Sequence, residues 1–177
     1  MGVTAETIGR KAIKAADVVV NIGILLFLLL LMAFSGYALW DSKQLYGSAD
    51  AAKYEIYKPG TEEEGKSFGE LQALNPEVFS WLTVYGTHID YPVAQAKDNQ
   101  KYVNTDALGK YSLTGAIFLD SKNNKDYSDF NSILYGHHME KNAMFGELGA
   151  FSKKSFFDSH PYGNLYYGGK DHGLEFF

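Results

Sequence analysis

The residue types best suited to chemistry here are the histidines, since imidazole exchanges protons near neutral pH. There are five of them in 177 residues. His137 and His138 are adjacent and directly follow the apolar run Ile133-Leu134-Tyr135 and Gly136. A histidine at a strand end beside glycine can project into a cleft, where it can give and take a proton. Neighbouring side chains in extended backbone point to opposite faces, so only one of the pair can serve a given site. A surface or structural role is the commoner fate of such a pair. A zinc site is disfavoured by that divergence and by the lack of an H-E-x-x-H spacing. A serine hydrolase is disfavoured by the lack of G-x-S-x-G. His88 reads as a turn residue near Gly86, His160 as a surface loop residue before Pro161, and His172 as part of a glycine-rich turn between strands. No function is assigned to these three. The chain has no cysteine, so neither a disulfide framework nor a thiolate metal site can form.

The elements that must carry these residues fall into four stretches. Residues 18–40 are almost unbroken apolar sequence, with Asn21 and Ser35 the clearly polar members. At about 1.5 Å per residue this run crosses a hydrocarbon core of about 30 Å. Leu25 and Leu31 bound a stretch that is apolar on every face, unlike an amphipathic core helix. The run is long for a secretory signal and lacks a small-x-small cleavage pattern, so an uncleaved signal anchor is expected. Arg10, Lys11 and Lys14 precede it and Asp41 follows, which predicts a cytoplasmic N-terminus (1–17) and an extracytoplasmic remainder.

Residues 41–67 read as a polar stalk, partly helical over 51–57, with Glu62-Glu63-Glu64 a solvated face. From Phe68 the pattern is that of a folded domain, 68–177. Phe68, Leu71 and Leu74 recur at near-helical spacing. Asn75-Pro76-Glu77 reads as a helix start. Strands are expected over 81–84, 89–93, 115–119, 132–135, 165–167 and 174–177, with a polar loop over 120–129 and short helices or turns over 144–151 and 155–159. Pro92 predicts an edge strand or a strand end. Short strands separated by turns predict a mainly β fold, a barrel or sandwich. The net charge of −5 and the absence of a basic stripe argue against nucleic acid. Phe176 and Phe177 close the sequence on an apolar strand pattern. That predicts an incomplete domain, open at its edges and prone to aggregate.

Several blocks together resemble the class B sortases. They are Asn75-Pro76-Glu77-Val78-Phe79-Ser80-Trp81-Leu82, Thr87-His88-Ile89-Asp90-Tyr91-Pro92-Val93-Ala94-Gln95, Asp98-Asn99-Gln100-Lys101-Tyr102, Gly115-Ala116-Ile117-Phe118-Leu119-Asp120, Asn131-Ser132-Ile133-Leu134-Tyr135-Gly136-His137-His138-Met139 and Met144-Phe145-Gly146-Glu147-Leu148. The resemblance implies an all-β, sortase-type β-barrel, here incomplete at its C-terminus and preceded by the transmembrane helix. It implies a cysteine transpeptidase without cofactor or metal. Such an enzyme attacks the C-terminal sorting motif of a surface protein, and an amine of peptidoglycan or of a pilin resolves the acyl-enzyme. It assigns His137 as the proton donor and acceptor, and Asn99 and Val103 as substrate-binding. Asn99 as a turn cap and Val103 as core packing are the plainer alternatives. The family's nucleophilic cysteine, in a T-L-x-T-C-type strand, and its oxyanion-stabilising arginine have no counterpart here. Arg10, the lone arginine, lies on the cytoplasmic flank. A truncated, inactive sortase is therefore expected; a non-catalytic, membrane-anchored peptide-binding module is the alternative.

Overall fold

The structure is a computed structural model and describes residues 2–60 and 67–177, with side chains from residue 8. The run Glu62-Glu63-Glu64 lies outside the described residues. The chain divides into two compact units after Gln44.

The first unit is helical. Helix α1, Gly2–Ala49, contains the apolar run and continues five residues into the second unit. Over residues 18–40 its side chains are apolar nearly all round: Val19, Leu25, Leu30 and Phe34 are each more than half exposed. Such a surface is stable only when a non-aqueous phase covers it. By length and composition α1 can cross a membrane. The aliphatic hydroxyl in the run, Ser35, donates to the Leu31 carbonyl at 2.8 Å, which removes an unsatisfied donor from an apolar surface.

The second unit is built on one mixed sheet. The strands are β1 Val78–Val84, β2 Asp90–Ala94, β3 Ile117–Leu119, β4 Leu134–Tyr135, β5 Tyr162–Tyr167 and β6 Lys170–Glu175, in the order β4-β3-β2-β1-β5-β6. All neighbours are antiparallel except β2 and β3. Among the described residues β4 and β6 are edges, so the sheet is open; closure into a barrel is not seen. The mainly β expectation applies to this unit, while the longest single element of the chain is α1. Central β1 is buried along most of its length, with Trp81 2% exposed. Trp81, Ile89, Val93, Ile117, Leu119 and Leu71 form the core.

Three local expectations are corrected. Asn75 does not start a helix. It ends helix α2, Phe68–Leu74, whose N-cap is Ser67. The Asn75 side-chain oxygen accepts from the Glu77 amide at 3.2 Å, an Asx turn that leads into β1. Pro92 does not mark an edge, because β2 lies between β1 and β3. The ladder with β3 registers only at Val93 and Ala94, past the proline. His172 is not in a turn. It lies in β6, opposite Leu165, with its ring stacked on Tyr167 at 3.8 Å.

The end of α1 and the 3-10 segment Ala51–Tyr57 pack within the second unit. Ala49, Tyr54 and Tyr57 are buried. Asp50 caps the segment by accepting from the Ala52 amide. Lys53 then pairs with buried Asp106 at 2.6 Å, which fastens this segment to the long connection between β2 and β3. Helix α3, Lys154–Ser159, comes after the 3-10 segment Gly146–Ser152 and ends at His160, whose ring stacks on Phe156 at 3.9 Å.

Candidate active site

Two walls form the site. The first comes from the β2–β3 connection. Asp98 accepts the amides of Gln100 and Lys101 at 2.8 and 3.2 Å, which starts the 3-10 turn Lys101–Val103. Tyr102 is fully buried and anchors that turn. Its hydroxyl donates to Glu77 at 2.7 Å and accepts from the Asn75 side chain at 2.9 Å. Its carbonyl accepts from the Ala116 amide. Gly115 sits at φ +57°, and a Cβ there would overlap the Tyr102 carbonyl oxygen. Only glycine fits such an approach. Asn99 and Val103 are thereby presented on either side of a rigid buried tyrosine.

The second wall is β4 together with residues 136–138. Tyr135 stacks against Phe118 at 5.2 Å. Gly136 passes so close to the core that a Cβ would overlap Ile117 Cδ1 and sit 2.8 Å from Phe145 Cδ2. This explains why glycine precedes the histidine. His137 is half-buried, and its Nε2 lies 3.0 Å from the Val103 carbonyl. Its own carbonyl accepts from the Phe145 amide at 2.9 Å. His138 diverges from it and pairs with Met144 in an isolated bridge.

The walls enclose a cleft of about 360 Å³ lined by Asn99, Gln100, Val103, Phe118, Tyr135, Gly136 and His137. The three site residues named from the sequence therefore line one cleft. Sequence reasoning missed Asp120, which joins the two walls. Its Oδ2 accepts from Asn99 Nδ2 at 2.8 Å and from the Tyr135 hydroxyl at 3.0 Å, and its Oδ1 accepts from the Lys122 amide. The Lys122 amide and the Asn99 side chain hold this carboxyl below the usual aspartate range. The only signal for it was an acid placed directly after strand β3. Asn99 also accepts from the Ser121 amide at 2.8 Å, a contact 22 residues away in sequence, while the turn beside it is capped by Asp98.

A larger cavity of about 480 Å³ lies among Tyr46, Asp50, Trp81, Asp90, Tyr91 and Lys141. It holds none of the three named site residues, and Asp90 there is already engaged by Trp81, Thr83 and Lys58. That cavity also holds an imidazole, His88, but its Nδ1 already meets Glu147 at 3.0 Å. The cleft beside His137 is the better candidate for chemistry because it gathers all three named residues between apolar walls with a few convergent polar groups. Among the described residues no group of three or more acidic or histidine side chains could hold a metal ion.

A scan against protein-family models returned no match. Two curated relatives do match. Sortase B of Listeria monocytogenes is 36% identical over 121 residues, covering 68% of this chain and 47% of the relative. Sortase B of Staphylococcus aureus is 38% identical over 93 residues, covering 52% of this chain and 38% of the relative. A solved structure of a Streptococcus pyogenes class B sortase involved in pilus biogenesis superposes with a TM-score of 0.59 at 44% identity. That match covers 61% of this chain and 60% of that one. The chain is a homologue of the class B sortases and spans about half the length, or less, of the curated relatives it matches.

Proposed function

We propose that the protein of which these residues are part is a class B sortase, a cysteine transpeptidase that cleaves the C-terminal sorting motif of surface proteins. The acyl group would pass to an amine of peptidoglycan or of a pilin. The observation that carries this reading is His137, held at the mouth of a cleft also lined by Asn99 and Val103, in a chain homologous to sortase B proteins. In this reading the peptide lies along the cleft, with Asn99 and Val103 against it. His137 protonates the leaving amine and later takes a proton from the incoming one. Helix α1 anchors the protein as a single span, with its N-terminus in the cytoplasm and the second unit outside.

The nucleophile must come from sequence beyond these 177 residues, which contain no cysteine. The oxyanion-stabilising arginine must do so too, because Arg10 lies on the N-terminal helix. On their own these residues bring no thiolate to a peptide carbonyl, so they do not turn over. The test is a fluorogenic sorting-peptide panel applied to the 177-residue chain and to a form extended along its reading frame. The extended form should cleave one of the peptides and lose that activity in a His137→Ala variant, while the shorter chain stays inert. Turnover by the shorter chain would overturn the proposal.

The lack of any thiol supports a second reading, a membrane-anchored peptide-binding module without catalysis. The downstream reading frame separates the two. A T-L-x-T-C strand there favours the enzyme, and a stop in independent isolates favours the module.

A further inference from the structure

Tyr91 lies on β2 in the middle of the sheet and is 2% exposed. Its hydroxyl makes two hydrogen bonds. It donates to the Ala49 carbonyl at 2.8 Å and accepts from the Met144 amide at 3.1 Å. Ala49 is the last residue of α1, so its carbonyl is one that the helix itself leaves without a partner. Met144 is 2% exposed and stands at φ +51°, a backbone region that non-glycine residues enter rarely. Its amide faces the interior, and the tyrosine oxygen is the acceptor it finds. A buried donor left without one is disfavoured, so this contact helps to hold Met144 in its unusual conformation.

Met144 is connected in turn to the imidazole. It pairs with His138, and the adjacent Phe145 amide donates to the His137 carbonyl at 2.9 Å. Immediately beyond, Gly146 passes under Met139 so closely that a Cβ would overlap the Met139 carbonyl oxygen. The loop that leaves after His138 is therefore cinched at its base by successive residues, and Tyr91 supplies the one side-chain tie among them.

We propose that Tyr91 is a positioning residue for His137. Its hydroxyl fastens the last carbonyl of α1 to the base of the histidine loop, and through Phe145 it fixes where the imidazole reaches toward Val103. The role for the reaction rests on the proposed function, in which His137 transfers the proton. The positional claim does not, and it can be measured without turnover.

The experiment is Tyr91→Phe in the full 177-residue chain in lipid nanodiscs, read by amide hydrogen exchange and by the histidine ring ¹⁵N resonances. The phenyl ring keeps the packing and removes only the hydroxyl. Met144 and Phe145 should exchange at least about tenfold faster, since local protection falls with the lost bond. The His137 Nε2 resonance should shift as its contact with Val103 loosens. His160 and His172 should not move. Tyr127→Phe, which removes a hydroxyl bonded to Ser80 instead, should leave His137 unchanged. An unmoved His137 in Tyr91→Phe would overturn the proposal and reduce Tyr91 to a structural tie. Should that variant fail to fold, the parent chain decides. Met144 protected like the β1–β2 ladder amides supports the proposal, and exchange as fast as that of exposed Lys141 overturns it. A catalytically dispensable His137 in the extended form would refute the proposed function and leave these readouts unaffected.

Discussion

The imidazole Nε2 of His137 and the main-chain carbonyl of Val103 meet at 3.0 Å across the cleft. A carbonyl oxygen only accepts, so Nε2 must carry the hydrogen, and Nδ1 is the nitrogen left to gain or lose a proton. Neutral His137 is therefore expected as the Nε2–H tautomer. Long-range ¹H–¹⁵N correlation at alkaline pH reads this directly, and a protonated Nδ1 in neutral His137 would contradict the contact.

Gly136 is wedged between Ile117 and Phe145, and any Cβ would enter both side chains. Gly136→Ala is expected to cost about 1–3 kcal/mol, as overpacking of a core does. Gly173→Ala, on β6 with open space around it, is expected to change stability by less than about 0.5 kcal/mol. Urea denaturation of the two variants makes the comparison, and equal midpoints would show that the glycine before the histidine is not a packing requirement.

Asp120 receives three donors and offers none, which suits a carboxylate and not an amide. In Asp120→Asn one of the two side-chain atoms becomes a donor. It must then face either the Lys122 amide or the Asn99 and Tyr135 pair. The Asn99 side-chain amide and the Tyr135 hydroxyl should exchange faster in the variant. The denaturation midpoint should hardly move, because the group is at the surface. Unchanged exchange at both would mean that the two walls are not joined through this carboxylate.

The pH dependence of that junction has its origin in the same contacts. Asp120 is held below the usual range by the Lys122 amide and then by Asn99. Glu77, which anchors Tyr102, is raised by its partial burial, but hydrogen bonds from Lys101 and Tyr102 outweigh that and lower it. A carboxyl depressed in the folded state contributes stability above its unfolded pKa and loses it as pH falls through the folded value. The cleft walls should therefore stay joined from neutral pH down through the ordinary carboxylate range and separate only below it. A carboxyl ¹³C titration of Asp120 should give a midpoint below about 3.9, the unperturbed aspartate value. A midpoint above that would refute the assignment.

Much of the fold is legible in the sequence. The strands around Trp81, Val93, Ile117 and Leu165 show as short apolar runs because their side chains fill one core. The apolar helix shows because no other stretch of this length is so nearly unbroken in apolar residues (18–40). His137 stands out through its place directly after a strand and a glycine. What stays hidden depends on contacts distant in sequence. Asn75 has the composition of a helix start, and only its packing with Tyr102 and Ala107 makes it a helix end. Pro92 carries an edge-strand signal that fails because the neighbouring ladder begins one residue later. Apart from the local Lys122 amide, Asp120 and Tyr91 are joined to their partners over 15 to 53 residues of sequence, a distance at which periodicity and capping rules say nothing.

Strands β2 and β3 run side by side in the same direction, so the chain cannot turn back directly and must travel the length of the sheet between them. That obligatory return path supplies Asn99, Gln100 and Val103 to the cleft. The wall facing His137 is thus a detour imposed by topology and not part of the ladder. Within it, buried Tyr102, Asp106 and Gly115 are fixed by packing, whereas Gln100 stands at its surface, where a change leaves the strand pairings in register. One face of the cleft is thus set by a connection and the other by the end of a strand.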